Sequence, residues 1–303
     1  MTVVRMHEGE VETDPELVSR LLAAQFPRWA DLPVSRVDSA GTDNALYRLG
    51  DDMAVRLPRV GWAMGQVEKE HQWLSQLAPL LPLQISDPLV KGEPGEGYPW
   101  QWSVYRWLEG ENATLDRVND PNEAAIELAE FIAALQRIEL SGGSLTVERG
   151  SRGVPLATRD EATRKGITSL EAEIDTDAAM ALWESALRAK EWDGPPAWFH
   201  GDMLPGNLLF EAGRLSAVID FGGLGVGDPA CDLMIAWAFF AGESRECFRE
   251  ALAVDDAAWA RGRGHALSQA VLFIPYYLRT NPVGVANARH LLDEVLADYR
   301  VTR

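Results

Sequence analysis

Between about Ser35 and Trp107, apolar and polar residues alternate in the short runs SRVDSAG, NALYRLG, MAVRLP and WQWSVYRWL. One intervening stretch, GQVEKEHQWLSQLAPLL, repeats its apolar positions every three to four residues instead. A period of two marks half-buried strands and a period near 3.6 an amphipathic helix, so this region predicts a small sheet carrying one helix. Along MAVRLP the side chains of Met53, Val55 and Leu57 share one face, which turns Arg56 to the other. Beyond Gly110 helical patterns take over in PNEAAIELAEFIAALQRI, DAAMALWESALRAK, DPACDLMIAWAFFAG and NARHLLDEVLADY. Between the second and third of these, FHGDMLPGNLLF is followed by the four-residue turn EAGR and the run LSAVID, which predicts a loop and a hairpin. The segment from Ser141 to Lys165, rich in Gly, Ser and Arg, reads as a loop. The expected architecture is α+β and two-lobed: a sheet-rich front lobe over residues 1–108, a hinge at about 103–110, and a mainly helical back lobe over 109–303.

Composition narrows the class. A chain of 303 residues with 47% hydrophobic content can bury a substantial core. It has no apolar run of about 18 residues, and its acidic start lacks the basic and then apolar order of a signal peptide. A soluble cytoplasmic protein, a monomer or weak dimer, is expected. Cys231 and Cys247 have no partner at metal or disulfide spacing and read as plain thiols. The excess of 46 acids over 28 bases, a net charge of −18, disfavours nucleic acid and anionic membranes as partners and would attract a cationic small molecule.

Three polar residues stand out in the loop and hairpin: Asp202, Asn207 five positions later, and Asp220 at the end of the second strand. A loop aspartate can accept a proton from a hydroxyl, while an amide carbonyl and a second carboxylate are hard oxygen ligands for a divalent cation. Phosphoryl transfer from a nucleotide needs that combination. Periodicity also selects an ion pair. Val67, Leu74, Leu77 and Leu81 trace the inward face of the predicted helix, and Glu70 lies on it. A carboxylate turned inward needs a cation, and Arg56 is the obvious one.

The order HGD-x-x-x-x-N, hairpin, Asp-Phe-Gly resembles the catalytic and metal loops of protein kinases. With GGLGVGDPACDL following, it is still more similar to the aminoglycoside phosphotransferase family, from about Ser35 to Ala241. The resemblance implies a protein-kinase-like fold, with a small antiparallel-sheet N-lobe carrying one helix and a larger helical C-lobe. It makes Asp202 the catalytic acceptor of the substrate proton, gives Asn207 and Asp220 the Mg²⁺, and leaves His200 as support for the loop. It assigns nucleotide phosphates to Ser39, Gly41, Thr42 and Arg56, the last standing where the kinase pattern has lysine, with Glu70 as its partner. The purine would meet backbone groups of Tyr105, Arg106, Trp107 and Leu108. Asp228, followed by Pro229, is a helix N-cap signature, and it and Asp232 are read as structural, bracing the catalytic loop. Trp237, Tyr276 and Tyr277 read as packing residues that could also line an acceptor pocket. The implied reaction moves the γ-phosphoryl group of ATP or GTP to a hydroxyl of a small-molecule acceptor, an aminoglycoside first of all. A macrolide, a choline-like alcohol or a sugar is the alternative acceptor, and a catalytically silent nucleotide-binding protein the alternative class.

Overall fold

The computed structural model describes residues 5–7, 9–38, 41–139 and 152–301. The chain enters through a helix that the alternating pattern does not announce, α1 (Pro15–Gln25), although its start is legible: Asp14 accepts the Leu17 amide at 2.6 Å and Pro15 fills the first turn. Then come β1 (Val34–Arg36), β2 (Asn44–Leu49), β3 (Met53–Pro58), α2 (Met64–Leu77), β4 (Gln84–Ile85), β5 (Pro88–Gly92) and β6 (Trp102–Arg106). The front sheet has the order β1-β2-β3-β6-β5, antiparallel throughout. Its two faces differ as the alternation requires. Tyr47, Val55, Leu57, Trp102 and Val104 pack with Leu17, Val18, Leu21 and Leu22 of α1 in one apolar core. Arg56 and Tyr105 lie on the opposite face, where both reach Glu70 of α2.

The second half of α2 belongs to the other core. Trp73, Leu74 and Leu77, together with Ile85 of β4, pack into the large cluster of the helical lobe. The remaining elements are β7 (Glu111–Asn112), α3 (Pro121–Arg137), α4 (Asp160–Ser169), α5 (Thr176–Arg188), β8 (Ala197–Phe199), β9 (Leu208–Glu211), β10 (Arg214–Val218), β11 (Gly225–Gly227), α6 (Ile235–Ala238), α7 (Glu243–Ala251), α8 (Asp256–Tyr277) and α9 (Pro282–Val301). β4 runs parallel to β10 in the sheet β4-β10-β9-β7, so the two lobes interlock through α2 and β4. The predicted hairpin is β9–β10, and Ala212 and Gly213 at its tip both take positive φ, as a two-residue turn of this hand requires.

Two expectations need correction. Within the stretch read as a loop, residues 141–151 lie outside the described residues, but a helix, Asp160–Ser169, begins inside it. Its i,i+4 pairs Asp160–Arg164 (2.8 Å) and Glu161–Lys165 (2.6 Å) support it, and Gly166 lets it approach the Val271 carbonyl of α8. Arg164, inside the stretch that looked irregular, holds the helix through Asp160, and Gly166, just beyond that stretch, seats it. Conversely, DPACDLMIAWAFFAG is a 3-10 turn over Pro229–Met234 followed by only the four residues of α6. Every residue from Pro229 to Trp237 is buried, so its apolar character reports burial on all sides, not a helical stripe. No described helix is long and apolar enough to cross a membrane.

Candidate active site

β8 pairs antiparallel with β11, Phe199 opposite Gly225, and this short ladder sets the loop after β8 against the loop before β11. The two loops touch backbone to backbone. Gly201 has φ +83° and a Cβ there would lie 2.3 Å from the Gly223 carbonyl oxygen, so only glycine fits. The loop is held from behind by Asp232, fully buried, whose carboxylate accepts the His200 amide at 2.7 Å and the Gly201 amide at 2.8 Å. Burial raises the Asp232 pKa while those two amides pull it down. His200 bridges the loops: its Nε2 donates to the Ile219 carbonyl at 3.0 Å and its Nδ1 accepts the Asp202 amide at 3.2 Å. Asp228 caps the 3-10 turn by accepting the Ala230 amide at 3.0 Å and pairs with Arg261 at 2.7 Å. The supporting roles expected for His200, Asp228 and Asp232 agree with these contacts.

Asp202 opens onto the cleft. Asn207 donates its amide to the Asp202 carbonyl at 2.8 Å and to Oδ2 at 3.1 Å. Arg152 approaches Oδ1 at 3.4 Å. Poor access to water holds the Asp202 carboxyl above its usual range, and Asp220 adds to this, while Arg152 opposes it. Because the Asn207 nitrogen is spent on Asp202, its Oδ1 is left to serve as a ligand. Asp220, at φ +60°, turns its Oδ1 to the Gly222 amide (3.4 Å) and to Arg56 Nη2 (2.6 Å). Asn207 Oδ1 and the second carboxylate oxygen of Asp220 are hard donors that fit Mg²⁺ if phosphates and water complete its six positions. No cluster of three or more His, Cys, Asp or Glu side chains suited to hold a metal occurs among the described residues.

Arg56 joins the lobes. Its Nη1 donates to both oxygens of Glu70, at 2.7 and 3.0 Å, and its Nη2 to Gln66 at 3.1 Å as well as to Asp220. Glu70 is fully buried and also accepts the Tyr105 hydroxyl, whose pKa burial and then Glu70 push well above the ordinary range. Lys69, one position before Glu70, donates to the Gly222 carbonyl at 2.7 Å. The strand-to-helix pair chosen by periodicity is present, and it extends to a second carboxylate, that of Asp220.

A cleft of about 1610 Å³ runs between the lobes. Pockets for one drug-sized ligand hold roughly 300–1,000 Å³, so this one has room for two substrates. Gly41 and Thr42 line it, and Ser39 lies outside the described residues. Tyr105, Arg106, Trp107 and Leu108 line its inner end, but the amides of Arg106 and Trp107 already donate to the Asp87 and Asp52 carbonyls, at 2.9 and 2.8 Å. Trp237 is buried against Trp259, away from the cleft, whereas Tyr277 lines it and the exposed Tyr276 meets His7 at 3.1 Å. Beyond Tyr277, sequence reasoning missed Arg152 and the rest of the lining from α8 and α9, including Gln269, Phe273, Asn287 and Leu291. A lone arginine after a Gly- and Ser-rich run carries no spacing signal that could have found it.

A family model described as the phosphotransferase enzyme family, APH, matches residues 35–265. None of the curated proteins matches the sequence significantly. Among solved structures, the GDP and kanamycin complex of APH(2")-IIia is 19% identical, covers 93% of this chain and 98% of its own, and superposes with a TM-score of 0.72. Macrolide 2'-phosphotransferase type I is 20% identical over 94% of this chain and 99% of its own, TM-score 0.64. The macrolide 2'-phosphotransferase MphH from Brachybacterium faecium is 22% identical over 92% and 98%, TM-score 0.60. The fold is thus that of these kinase-like enzymes.

Proposed function

The chain belongs to the phosphotransferase enzyme family, and from that footing we propose that it moves the γ-phosphoryl group of ATP or GTP to a hydroxyl of a small molecule. The observation that carries this reading is the convergence of Asp202, Asn207 and Asp220 on two interlocked loops, with Arg56 of the front sheet reaching Asp220 across the cleft. In this reading Asp202 orients the acceptor hydroxyl and takes its proton. Arg56, held in place by Glu70, meets the nucleotide phosphates, a role shared with Ser39, Gly41 and Thr42, and the purine meets Tyr105 to Leu108. Mg²⁺ held by Asn207 and Asp220 would offset charge on the phosphates. The division falls near residue 108, with residues 1–108 taking the nucleotide and 109–303 the acceptor. Dependence on a nucleoside triphosphate suits a cytoplasmic protein.

Kanamycin in a similar structure and the net charge of −18 favour an aminoglycoside acceptor. The cleft wall favours another class. Among the described residues of the helical lobe its only carboxylates are Asp202 and Asp220, both committed to the transfer. The rest of that wall is mainly aromatic and aliphatic, with Phe239, Phe273, Tyr277 and Leu291, and carries the amides Gln269, Asn281 and Asn287 and the basic side chains Arg152 and His290. Several ammonium groups would find no counter-charge there. A hydroxylated acceptor with at most one positive charge, as a macrolide or a sugar would be, fits better, and we adopt it. A coupled screen for ADP and GDP release over aminoglycosides, macrolides, sugars and simple alcohols tests this. Turnover that vanishes in Asp202→Ala is expected with a weakly charged acceptor. Efficient turnover confined to polycations would overturn the acceptor class, and absence of both turnover and nucleotide binding would overturn the reaction.

A further inference from the structure

Arg152 reaches the cleft from a segment separate from both loops, and its position is fixed by the residue after it. The Gly153 carbonyl accepts the Asp228 amide at 3.0 Å beside β11. A Cβ on Gly153 would stand 2.0 Å from the Phe199 ring, so only glycine lets the segment lie this close. Arg152 is thereby delivered to Asp202, yet the contact is a single one at 3.4 Å, not the short two-pronged geometry of a committed ion pair. An acceptor hydroxyl must reach an oxygen of Asp202, and Oδ2 already holds Asn207. Oδ1, held only by the long Arg152 contact, is the freer of the two oxygens, and Arg152 can leave it at little cost when substrate arrives.

Asp232 attracts Arg152 from behind, but among the described residues the ion-pair contact of Arg152 is with Asp202. Asp228 is spent on Arg261 at 2.7 Å and Asp232 on two backbone amides. Arg159, with no carboxylate partner among the described residues, lies near enough that burial and then the charge of Arg152 bring its pKa down to about 10. Between Asp202 and Asn207 the loop supplies Met203, Leu204, Pro205 and Gly206, none of them cationic. Arg152 is the only Lys or Arg that the described residues of the helical lobe place on the cleft wall.

We propose that Arg152 is a further catalytic residue, one that rests on Asp202 in the free enzyme and contacts the non-bridging oxygens of the transferring phosphoryl group from the acceptor side. This rests on the reaction proposed above. The acceptor oxygen forms a bond to the γ-phosphorus and its proton passes to Asp202. The bond from the γ-phosphorus to the β-bridging oxygen breaks, and its electron pair leaves on the nucleoside diphosphate. Arg56 faces the phosphates from the nucleotide side and Arg152 the moving group from the other, where charge-directed donors have their greatest effect.

Calorimetry with ADP and Mg²⁺, and with GDP and Mg²⁺, each with and without aluminium fluoride as a mimic of the transferring group, tests the proposal on wild type, Arg152→Ala and Arg152→Lys. Diphosphate affinity should stay within about twofold in both variants, while the gain from aluminium fluoride falls by about tenfold or more in Arg152→Ala and is partly restored in Arg152→Lys. In turnover, kcat of Arg152→Ala should drop by about 10² to 10³ with nucleotide KM little changed. An undiminished aluminium fluoride gain in Arg152→Ala, or an equal loss for diphosphate alone in both variants, would overturn the role of Arg152. A wild type that binds neither diphosphate would instead overturn the reaction on which the proposal stands.

Discussion

The two walls of the cleft are built on different principles. On the front wall charge is held in one network: Arg56 is shared between Glu70 and Gln66 and reaches Asp220 across the cleft, and Glu70 is buried and also holds Tyr105. On the back wall α8 and α9 offer rings, aliphatic groups and amides, and the described residues add no carboxylate beyond Asp202 and Asp220. Every phosphoryl transfer must manage the same phosphates, so the front wall needs fixed charges at fixed places. An acceptor is recognised by shape, which many side chains can supply. Removing one member of a buried charged set leaves its partner uncompensated, at a cost of about 3–5 kcal/mol, whereas trimming an apolar wall costs contact area alone.

The largest effect is expected at Asp202, which stands on the back wall beside Asn207 and Arg152. Asp202→Asn should lower kcat by about 10² to 10⁴ with nucleotide affinity within a few-fold, since the role proposed for the side chain is on the hydroxyl. Steady-state kinetics beside nucleotide titration checks this, and a kcat near wild type would remove Asp202 from the chemistry. Next comes the front-wall pair. Arg56→Ala and Glu70→Ala should each cut kcat/KM for nucleotide by about 10², and the double variant should fall short of the summed loss by about 0.5–3 kcal/mol. Additive losses would mean that the two residues do not act as a unit.

What the sequence made legible follows the same division. Asp202, Asn207, Asp220, Arg56 and Glu70 could be chosen because a carboxylate on an inward helical stripe, or acids and an amide at fixed loop spacing, are chemically conspicuous. Their supports were partly legible too, since Asp228 before Pro229 marks a capped turn. The Arg56–Asp220 contact was not, because it joins residues 164 positions apart and nothing local encodes it. Gln269 and Phe273 share a face of α8, but a helix buried on most sides shows no stripe from which the open side could be read. Arg152 depends on Gly153 fitting against Phe199, a contact between distant segments.

A milder perturbation sharpens the contrast from the back wall. Phe273 lines the cleft and packs on Tyr277 with ring centroids 4.3 Å apart. Phe273→Ala should raise acceptor KM by about tenfold, the scale of a small apolar contact in a specificity pocket, and leave nucleotide KM within about twofold. Equal changes in both constants would show that the walls are not separable and that α8 transmits to the front lobe.

The smallest expected effect is also the one that separates the charge of the whole molecule from the charge of its cleft. A net charge of −18 would draw a polycation from a distance, and salt would screen that attraction over about 10 Å at 0.1 M. The back wall, however, has no carboxylates to spare for such a substrate, and Arg152 stands beside Asp202 with a positive charge. For the best acceptor, kcat/KM should therefore change by less than about threefold between 0.02 and 0.5 M salt at fixed Mg²⁺ and nucleotide. A decline of tenfold or more would place the attracting acids at the acceptor site itself. That result would return a polycationic acceptor to first place and make the aromatic wall secondary, while leaving the contrast in how the two walls hold their charges untouched.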